Sequence, residues 1–299
     1  MSSLSASSVP SSSSSFSSSS FSSSSRSSSS KRTPSYSRRR NVSRKLVTIV
    51  AGTRRPESML WILDRDGVIN RDVGKPGVIR VDEFVLESES AKALKMIKSH
   101  GIDDLICVCT NQSAVGKKIM TEETLKDIHY RMVEMINECD YERDDLFQFD
   151  WILYEIGEEE GWRRKPGPGM VLEALERFDT VTRAIFVGDT AKDMIAAARA
   201  EEEICKKAEK RIVKIERVLV STGYGAKIGK CLEEFCDNTN TNNNGDGGSY
   251  RFFEKKSDIP REVLEAFAAF PENCFPLYVV KNLKAAVDLH IVHNVYFKI

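Results

Sequence analysis

The sequence predicts an α/β fold, three layers deep, built on a parallel sheet. From about Ser58 onward, short apolar runs alternate with helical stretches, the pattern of strand–helix–strand units. Polar clusters follow directly on several of the apolar runs, where loops would leave the carboxyl ends of parallel strands. With 299 residues and 41% hydrophobic content, the chain is large enough to bury a normal core.

The expected strands are Leu60–Leu63, Leu105–Cys109, Trp151–Tyr154, Ala184–Val187, Val218–Val220 and Leu277–Val280. The expected helices are Ser90–Ser99, Glu122–Glu138, Gly169–Arg177, Ala191–Ile215 and Leu283–Leu289. The charged second half of the fourth, Glu201–Lys210, reads as a solvated face. Two segments depart from the pattern. Residues 1–45 are of low complexity, with serine at 22 of the first 30 positions. Such a tail lacks the apolar side chains that would offset ordering entropy and is expected to be disordered. Its Ser and Arg content without acids resembles an organellar transit peptide, so a plastid or mitochondrial location is expected, with the cytoplasm as the alternative. Residues 237–249 are Asn- and Gly-rich and read as a second flexible segment, inside an apparent insertion from about Ile228 to Phe275. The expected organisation is a tail followed by one domain, residues 58–299.

The formal net charge of zero hides a split. Residues 1–56 carry ten Lys/Arg and no acid, which leaves 34 basic against 44 acidic residues and a net of −10 on the remainder. An acidic body argues against general nucleic-acid binding, which needs a basic surface to displace counterions. No apolar run approaches the roughly 18 residues of a membrane span. The seven cysteines show no disulfide-like framework and read as reduced thiols. Cys107 and Cys109 would share one strand face, as packing residues rather than a metal pair. His290 and His293 read as structural or exposed.

The strongest chemical signal is Asp64-Arg65-Asp66-Gly67-Val68-Ile69-Asn70, directly after the first strand. Two carboxylates at i and i+2 around a turn can diverge in role, one binding a metal and attacking while the other shuttles a proton. Taken alone, the same residues also make an ordinary turn. Three further strand ends add to it. Thr110-Asn111-Gln112-Ser113 offers a hydroxyl, an amide and free N–H groups suited to phosphate oxygens, or a helix cap. Arg163-Arg164-Lys165-Pro166 supplies cations able to neutralise a phosphoryl group, or a basic surface cluster. Gly188-Asp189-Thr190-Ala191-Lys192-Asp193 supplies two acids whose hard oxygens suit Mg²⁺.

In that order the four motifs resemble the haloacid dehalogenase superfamily, a Rossmann-like three-layer fold, and within it the branch of heptose-bisphosphate phosphatase and histidinol-phosphatase. Arg164-Lys165-Pro166-Gly167-Pro168-Gly169-Met170 and the stretch Val218–Gly223 follow that branch. The resemblance covers about residues 58–225 and 277–290. It implies that Asp64 attacks phosphorus to form an aspartyl-phosphate and that Asp66 protonates the leaving alcohol, then activates water. It further implies Mg²⁺ on Asp64, the Asp66 carbonyl and Asp189, with Asp193 supporting that shell. Thr110 and Lys165 would hold phosphoryl oxygens, with Asn111 near the phosphate and Arg164 on the substrate side.

The chain also departs from the branch. Many members carry a zinc loop of Cys and His before the Arg-Lys-Pro motif, whereas Tyr154–Arg163 contains neither, so no structural zinc is expected. Ser113–Lys118 differs from the usual second motif, Arg71–Arg80 matches no one substrate type, and 228–275 has no counterpart. No large cap is evident between Asn70 and Leu105 or between Thr121 and Trp151, so a capless or small-cap form is expected. The expected function is Mg²⁺-dependent hydrolysis of a small sugar phosphate or sugar bisphosphate by a monomer that binds no membrane. The alternatives are a histidinol-phosphatase, a polynucleotide 3′-phosphatase and a non-catalytic phosphate-sensing protein. Loss of Asp64 or Asp66 would have marked the last, and both are present.

Overall fold

The computed structural model describes residues 58–100, 104–139, 146–206, 213–239 and 250–292. The serine-rich tail, most of the Asn/Gly-rich segment, Lys207–Lys210 and His293 lie outside the described residues. In chain order the elements are β1 (Met59–Leu63), α1 (Ser90–His100), β2 (Leu105–Asn111), α2 (Ser113–Gly116), α3 (Glu122–Glu138) and β3 (Trp151–Glu155). Then come α4 (Gly169–Arg177), β4 (Arg183–Gly188), α5 (Ala191–Lys206), β5 (Lys214–Val220), α6 (Ala226–Thr239), β6 (Tyr250–Phe253), β7 (Leu277–Val280) and α7 (Leu283–Val287).

The strands form one seven-stranded sheet in the order β3-β2-β1-β4-β5-β7-β6. Every pair is parallel except β6 with β7. Side chains alternate across the strands, and both faces are buried, as parallel sheets require. Trp61, Leu63, Ile106, Val108, Ile185 and Val187 point to one core, which α1, α3 and α7 cover with Leu94, Ile97, Leu125, Ile128 and Leu283. Leu60, Ile62, Cys107, Cys109, Ala184 and Phe186 point to the other, covered by α4, α5 and α6. Both cysteines are thus packing residues. Helix α3 starts where the Thr121 hydroxyl accepts the Thr124 N–H at 3.1 Å, and Leu125, Ile128, Met132 and Ile136 recur at helical spacing on its buried face.

Two sequence expectations need correction. The helix expected over Ala191–Ile215 ends at Lys206, and β5 starts at Lys214, four residues before the expected strand. Glu216 and Arg217 disguised that strand. They are buried in it because Arg183 meets Glu216 at 2.9 Å and Glu201 of α5 pairs with Arg217. The helix expected over Leu283–Leu289 ends at Val287 and widens into a π-helical turn, Asp288–Val292. The stretch 228–275 supplies most of α6, the edge strand β6 and three 3₁₀ turns. Between β1 and β3 the described residues hold one 3₁₀ turn, α1 to α3 and the sheet strand β2, and no separate cap domain stands among them. No helix among the described residues is long and apolar enough to cross a membrane.

Candidate active site

The carboxyl ends of β1, β2 and β4 converge with the loops entering α4 and leaving β5. The eight residues singled out from the sequence, Asp64, Asp66, Thr110, Asn111, Arg164, Lys165, Asp189 and Asp193, all line one cavity there, of about 550 Å³. Asp64 follows β1 directly, and its N–H donates to Val187 O at 2.9 Å, which fixes the strand tip against β4. Its Oδ1 accepts the Arg65 N–H at 2.7 Å and lies 2.9 Å from Lys165 Nζ.

Lys165 is 2% exposed, and its Nζ is also 2.6 Å from Asp193 Oδ1. The one ammonium thus forms ion pairs with two carboxylates. Asn111 clamps the Lys165 backbone from both sides, donating to its carbonyl at 2.9 Å and accepting its N–H at 3.1 Å. The ammonium also sits 5.7 Å over the Phe186 ring. Asp193 is held from behind, since its Oδ2 accepts the Thr190 N–H at 3.0 Å and the Thr190 hydroxyl at 2.7 Å.

Burial, then the neighbouring Asp193 and Asp66 carboxylates, push Asp64 up to about 7 against the pull of Lys165. Burial and the charges of Asp64 and Asp193 push Asp189 up to about 9, with the Tyr224 N–H opposing. Burial works against the Lys165 ammonium, yet Asp193 and Asp64 outweigh it and hold it protonated. One cation thus faces three buried carboxylates whose oxygens lie within 4.8 Å of one another. An excess of negative charge on hard oxygen donors fits a divalent cation such as Mg²⁺.

Asp66 is poised differently. Burial alone would raise it, but the Arg65 guanidinium and hydrogen bonds from Asn70 and Gln112 hold it below the usual carboxylate range. Arg65 Nη2 donates to both carboxylate oxygens at 2.9 and 3.0 Å, Asn70 at 3.0 Å and Gln112 at 2.9 Å. The same Gln112 amide reaches the Thr110 hydroxyl at 2.9 Å, linking two strand ends. Arg65 is fully buried, and its Nη1 lies 3.4 Å from His129 Nε2. A guanidinium only donates, so that nitrogen is the acceptor and His129 is neutral, as burial and Arg65 dictate by driving it down to about 3.

Arg65, Gln112 and the Thr222–Tyr224 loop carry structural duties that the sequence reading did not assign. The Tyr224 N–H donates to Asp189 Oδ2 at 2.8 Å, and the Thr222 hydroxyl to Gly67 O at 2.5 Å. Gly67 and Gly223 both have positive φ, and a Cβ on either would come within 2.2 Å of Asp189 Oδ2. The signal was present, because Ser221-Thr222-Gly223 is another polar cluster following a strand.

A family model described as haloacid dehalogenase-like hydrolase matches residues 77–201. A D-glycero-beta-D-manno-heptose-1,7-bisphosphate 7-phosphatase of Pseudomonas aeruginosa is 32% identical over 179 residues, 58% of this chain and 88% of that protein. Its Neisseria meningitidis serogroup A counterpart is 32% identical over 138 residues, 46% of this chain and 70% of that protein. The crystal structure of D,D-heptose 1,7-bisphosphate phosphatase from B. bronchiseptica, complexed with magnesium and phosphate, shares the fold. It has a TM-score of 0.55 and 24% identity, and the match covers 79% of this chain and 99% of that one. A seven-stranded α/β sheet with acids at its strand tips, matched at this level, makes the chain a member of the haloacid dehalogenase-like hydrolase family. Within it the protein is a phosphatase that resembles the heptose-bisphosphate 7-phosphatases.

Proposed function

We propose that this phosphatase hydrolyses a small phosphorylated sugar, a sugar phosphate or bisphosphate, through an aspartyl-phosphate on Asp64. The observation that carries the reading is Asp64 at the tip of β1, 2.9 Å from a buried ammonium and in one cavity with Asp66 and Asp189. The relatives named for heptose bisphosphate support the substrate class.

In the first half-reaction a carboxylate oxygen of Asp64 bonds to phosphorus as the phosphorus–oxygen ester bond breaks. Lys165 and Thr110 hold the phosphoryl oxygens, and Asn111 fixes Lys165 in place. Asp66 is an ionised acceptor in the free enzyme. The arriving phosphoryl group brings negative charge beside it, raises its proton affinity, and lets it take up a proton from solvent that then passes to the leaving alkoxide. In the second half-reaction Asp66, again a carboxylate, takes a proton from water. That water bonds to phosphorus, the bond to Asp64 breaks, and inorganic phosphate leaves. Asp64, the Asp66 carbonyl and Asp189 would hold Mg²⁺, with Asp193 behind them. When bound, the ion supplies positive charge to the phosphoryl oxygens. Arg164, whose Nη1 donates to Gly157 O at 2.6 Å, stands on the substrate side of the cavity.

The test is a screen of the full chain against sugar phosphates, sugar bisphosphates, histidinol phosphate and 3′-phosphorylated oligonucleotides, with and without EDTA and added Mg²⁺. Activity is expected on the sugars, lost to EDTA and restored by Mg²⁺. Asp64→Asn should leave less than about 1% of kcat, a barrier increase above roughly 2.7 kcal/mol, because an amide cannot form the acyl-phosphate. A variant retaining more than that with an intact fold defeats the nucleophile assignment.

A further inference from the structure

The cavity has a wall that the catalytic motifs do not supply. Ile228 of α6 and Ala266, Ala269 and Phe270, around the 3₁₀ turn Leu264–Phe267, line the same cavity as Asp64 and Lys165. All four come from 228–275, the stretch without a counterpart in the motif pattern. None carries a side-chain hydrogen-bonding group, whereas the residues around Asp64 are almost all polar or charged. Together they add an apolar patch to a lining that is otherwise mostly polar or charged.

That patch is fixed. Phe270 is 2% exposed, and its ring lies 5.5 Å from Phe267, which packs at 5.6 Å against Phe253 of β6. Ile228, Val263, Phe267 and Phe270 belong to the same buried cluster as Leu219 and Leu277 of the central sheet. Lys256 holds the turn from outside, its Nζ donating to Phe270 O at 2.5 Å. A surface tied into the core in this way is part of the site's permanent shape, unlike a lid.

We infer that Ile228, Ala266, Ala269 and Phe270 form a specificity wall, and that Ala266, Ala269 and Phe270 pack against the carbon face of the substrate's alcohol. The inference rests on reading the site as a phosphomonoesterase. The occupant follows from continuity, since a phosphoryl group resting against both Asp64 and Lys165 leaves its alcohol in the rest of a cavity of about 550 Å³. A hydroxyl turned toward this wall would lose its water and find no partner, whereas C–H groups lose nothing. The preferred alcohol therefore presents one uninterrupted carbon face, as a ring with its hydroxyls on the other side or a deoxygenated carbon does. Its hydroxyls would turn to the rim, where Tyr224, Lys192 and Lys227 stand.

The test uses two primary alkyl esters of equal ring size, glucose 6-phosphate, whose equatorial hydroxyls at C2, C3 and C4 leave both ring faces to C–H groups, and altrose 6-phosphate, whose axial 2- and 3-hydroxyls interrupt both faces, so that leaving-group chemistry is closely matched. The full chain should favour the first in kcat/KM by about tenfold or more, within the order that a hydroxyl facing an apolar pocket costs. Ala269→Asp should lower that ratio by about tenfold or more, mainly through KM. Leu264→Asp, a charge in the same turn at a 39% exposed residue outside the cavity, should leave it unchanged. Hydrolysis of both esters with a ratio unmoved by Ala269→Asp, or moved equally by Leu264→Asp, overturns the wall alone. If the wild-type chain hydrolyses neither ester nor any other phosphomonoester, the underlying reading fails, and the wall with it.

Discussion

Replacing Lys165 with Met separates two roles that one ammonium plays. In the free enzyme it is the counterion for Asp193 at 2.6 Å and Asp64 at 2.9 Å. In the proposed transition state it faces the phosphoryl oxygens, whose charge is redistributed as the ester bond breaks. Methionine keeps much of the stem packed near Phe186 and removes only the charge. Loss of one preorganised electrostatic group costs about 10²- to 10³-fold in kcat, roughly 2.7–4 kcal/mol, while KM should move much less. Removing one partner of a buried ion pair also destabilises a fold by about 3–5 kcal/mol when the other charge stays. Here one partner, Asp64, can take a proton instead, because it already sits near 7, and Asp189 in the same cluster sits near 9. These folded-state values lie above the unfolded ones, so the folded state binds the extra protons and the variant's stability falls as pH rises through them. Steady-state kinetics with urea titrations at pH 6 and 9 read both effects. Arg164→Met should do the reverse, raising KM with less change in kcat, because in the proposed site that side chain, which lines the cavity, meets the substrate body. If Lys165→Met raised KM alone and left kcat within about twofold, the basic pair would be a docking clamp and the reasoning would fail.

Two other perturbations follow from geometry outside the motifs. Gly223→Ala should cut activity at least about tenfold and lower stability by about 1 kcal/mol or more. Its φ of +51° disfavours a side chain, and the new Cβ would come within 2.2 Å of Asp189 Oδ2 and 2.8 Å of Gly67 Cα. Wild-type kinetics in purified Gly223→Ala would mean that the loop after β5 does not set the position of Asp189. The second concerns acid. Burial, with Arg65 and Arg183 respectively, lowers His129 and His290 to about 3. Unfolded histidine titrates near 6.5, so the unfolded state binds more protons between those values. Their contribution is complete above about 6.5 and is lost on acidification, up to about 1.4 kcal/mol per pH unit for each. Urea midpoints at pH 7 and 4.5 should therefore differ more in the wild type than in His290→Gln, and equal differences would remove histidine from the explanation.

What was legible in the sequence is what local chemistry dictates. Asp64, Asp66, Asp189 and Asp193 follow apolar runs at strand tips, and parallel topology brings those tips together, so one cavity could be foreseen from four short segments. The elements that misled were those whose character comes from distant partners. Glu216 and Arg217 interrupt the apolar pattern ahead of Val218–Val220 until Arg183 and Glu201 are placed beside them. Gln112 lay within a noted motif, but its link between Asp66 and Thr110 depends on how β1 and β2 align. The apolar wall was illegible because Ile228 and Phe270 are 42 positions apart in the sequence and no periodicity joins them.

The loop between β3 and α4 shows one physical problem met in another way. Many members of the branch close this loop on zinc through Cys and His, and here Tyr154–Arg163 contains neither. The Arg163 guanidinium occupies the centre instead. It donates to Glu173 at 2.7 and 3.1 Å, to Tyr154 O at 2.5 Å and to Glu155 at 3.2 Å. Glu155 in turn accepts the Gly157 N–H at 2.8 Å, and Arg164 donates to Gly157 O at 2.6 Å. The N–H groups of Gly167 and Gly169 close the turn on Arg164 O and Trp162 O at 2.6 and 2.8 Å. A planar cation with five donors can tie several chain segments, much as a four-coordinate ion does, but its partners are carboxylates and carbonyls. Surface ion pairs of this exposure contribute little singly, so the value of the network lies in geometry more than in stability. It sets the path of the chain through Arg164 and Lys165, and Asn111 completes the setting from the neighbouring strand. Glu155 of the loop and Glu173 of α4 thus hold Arg163, and the network helps to fix where the buried ammonium of Lys165 stands beside Asp64.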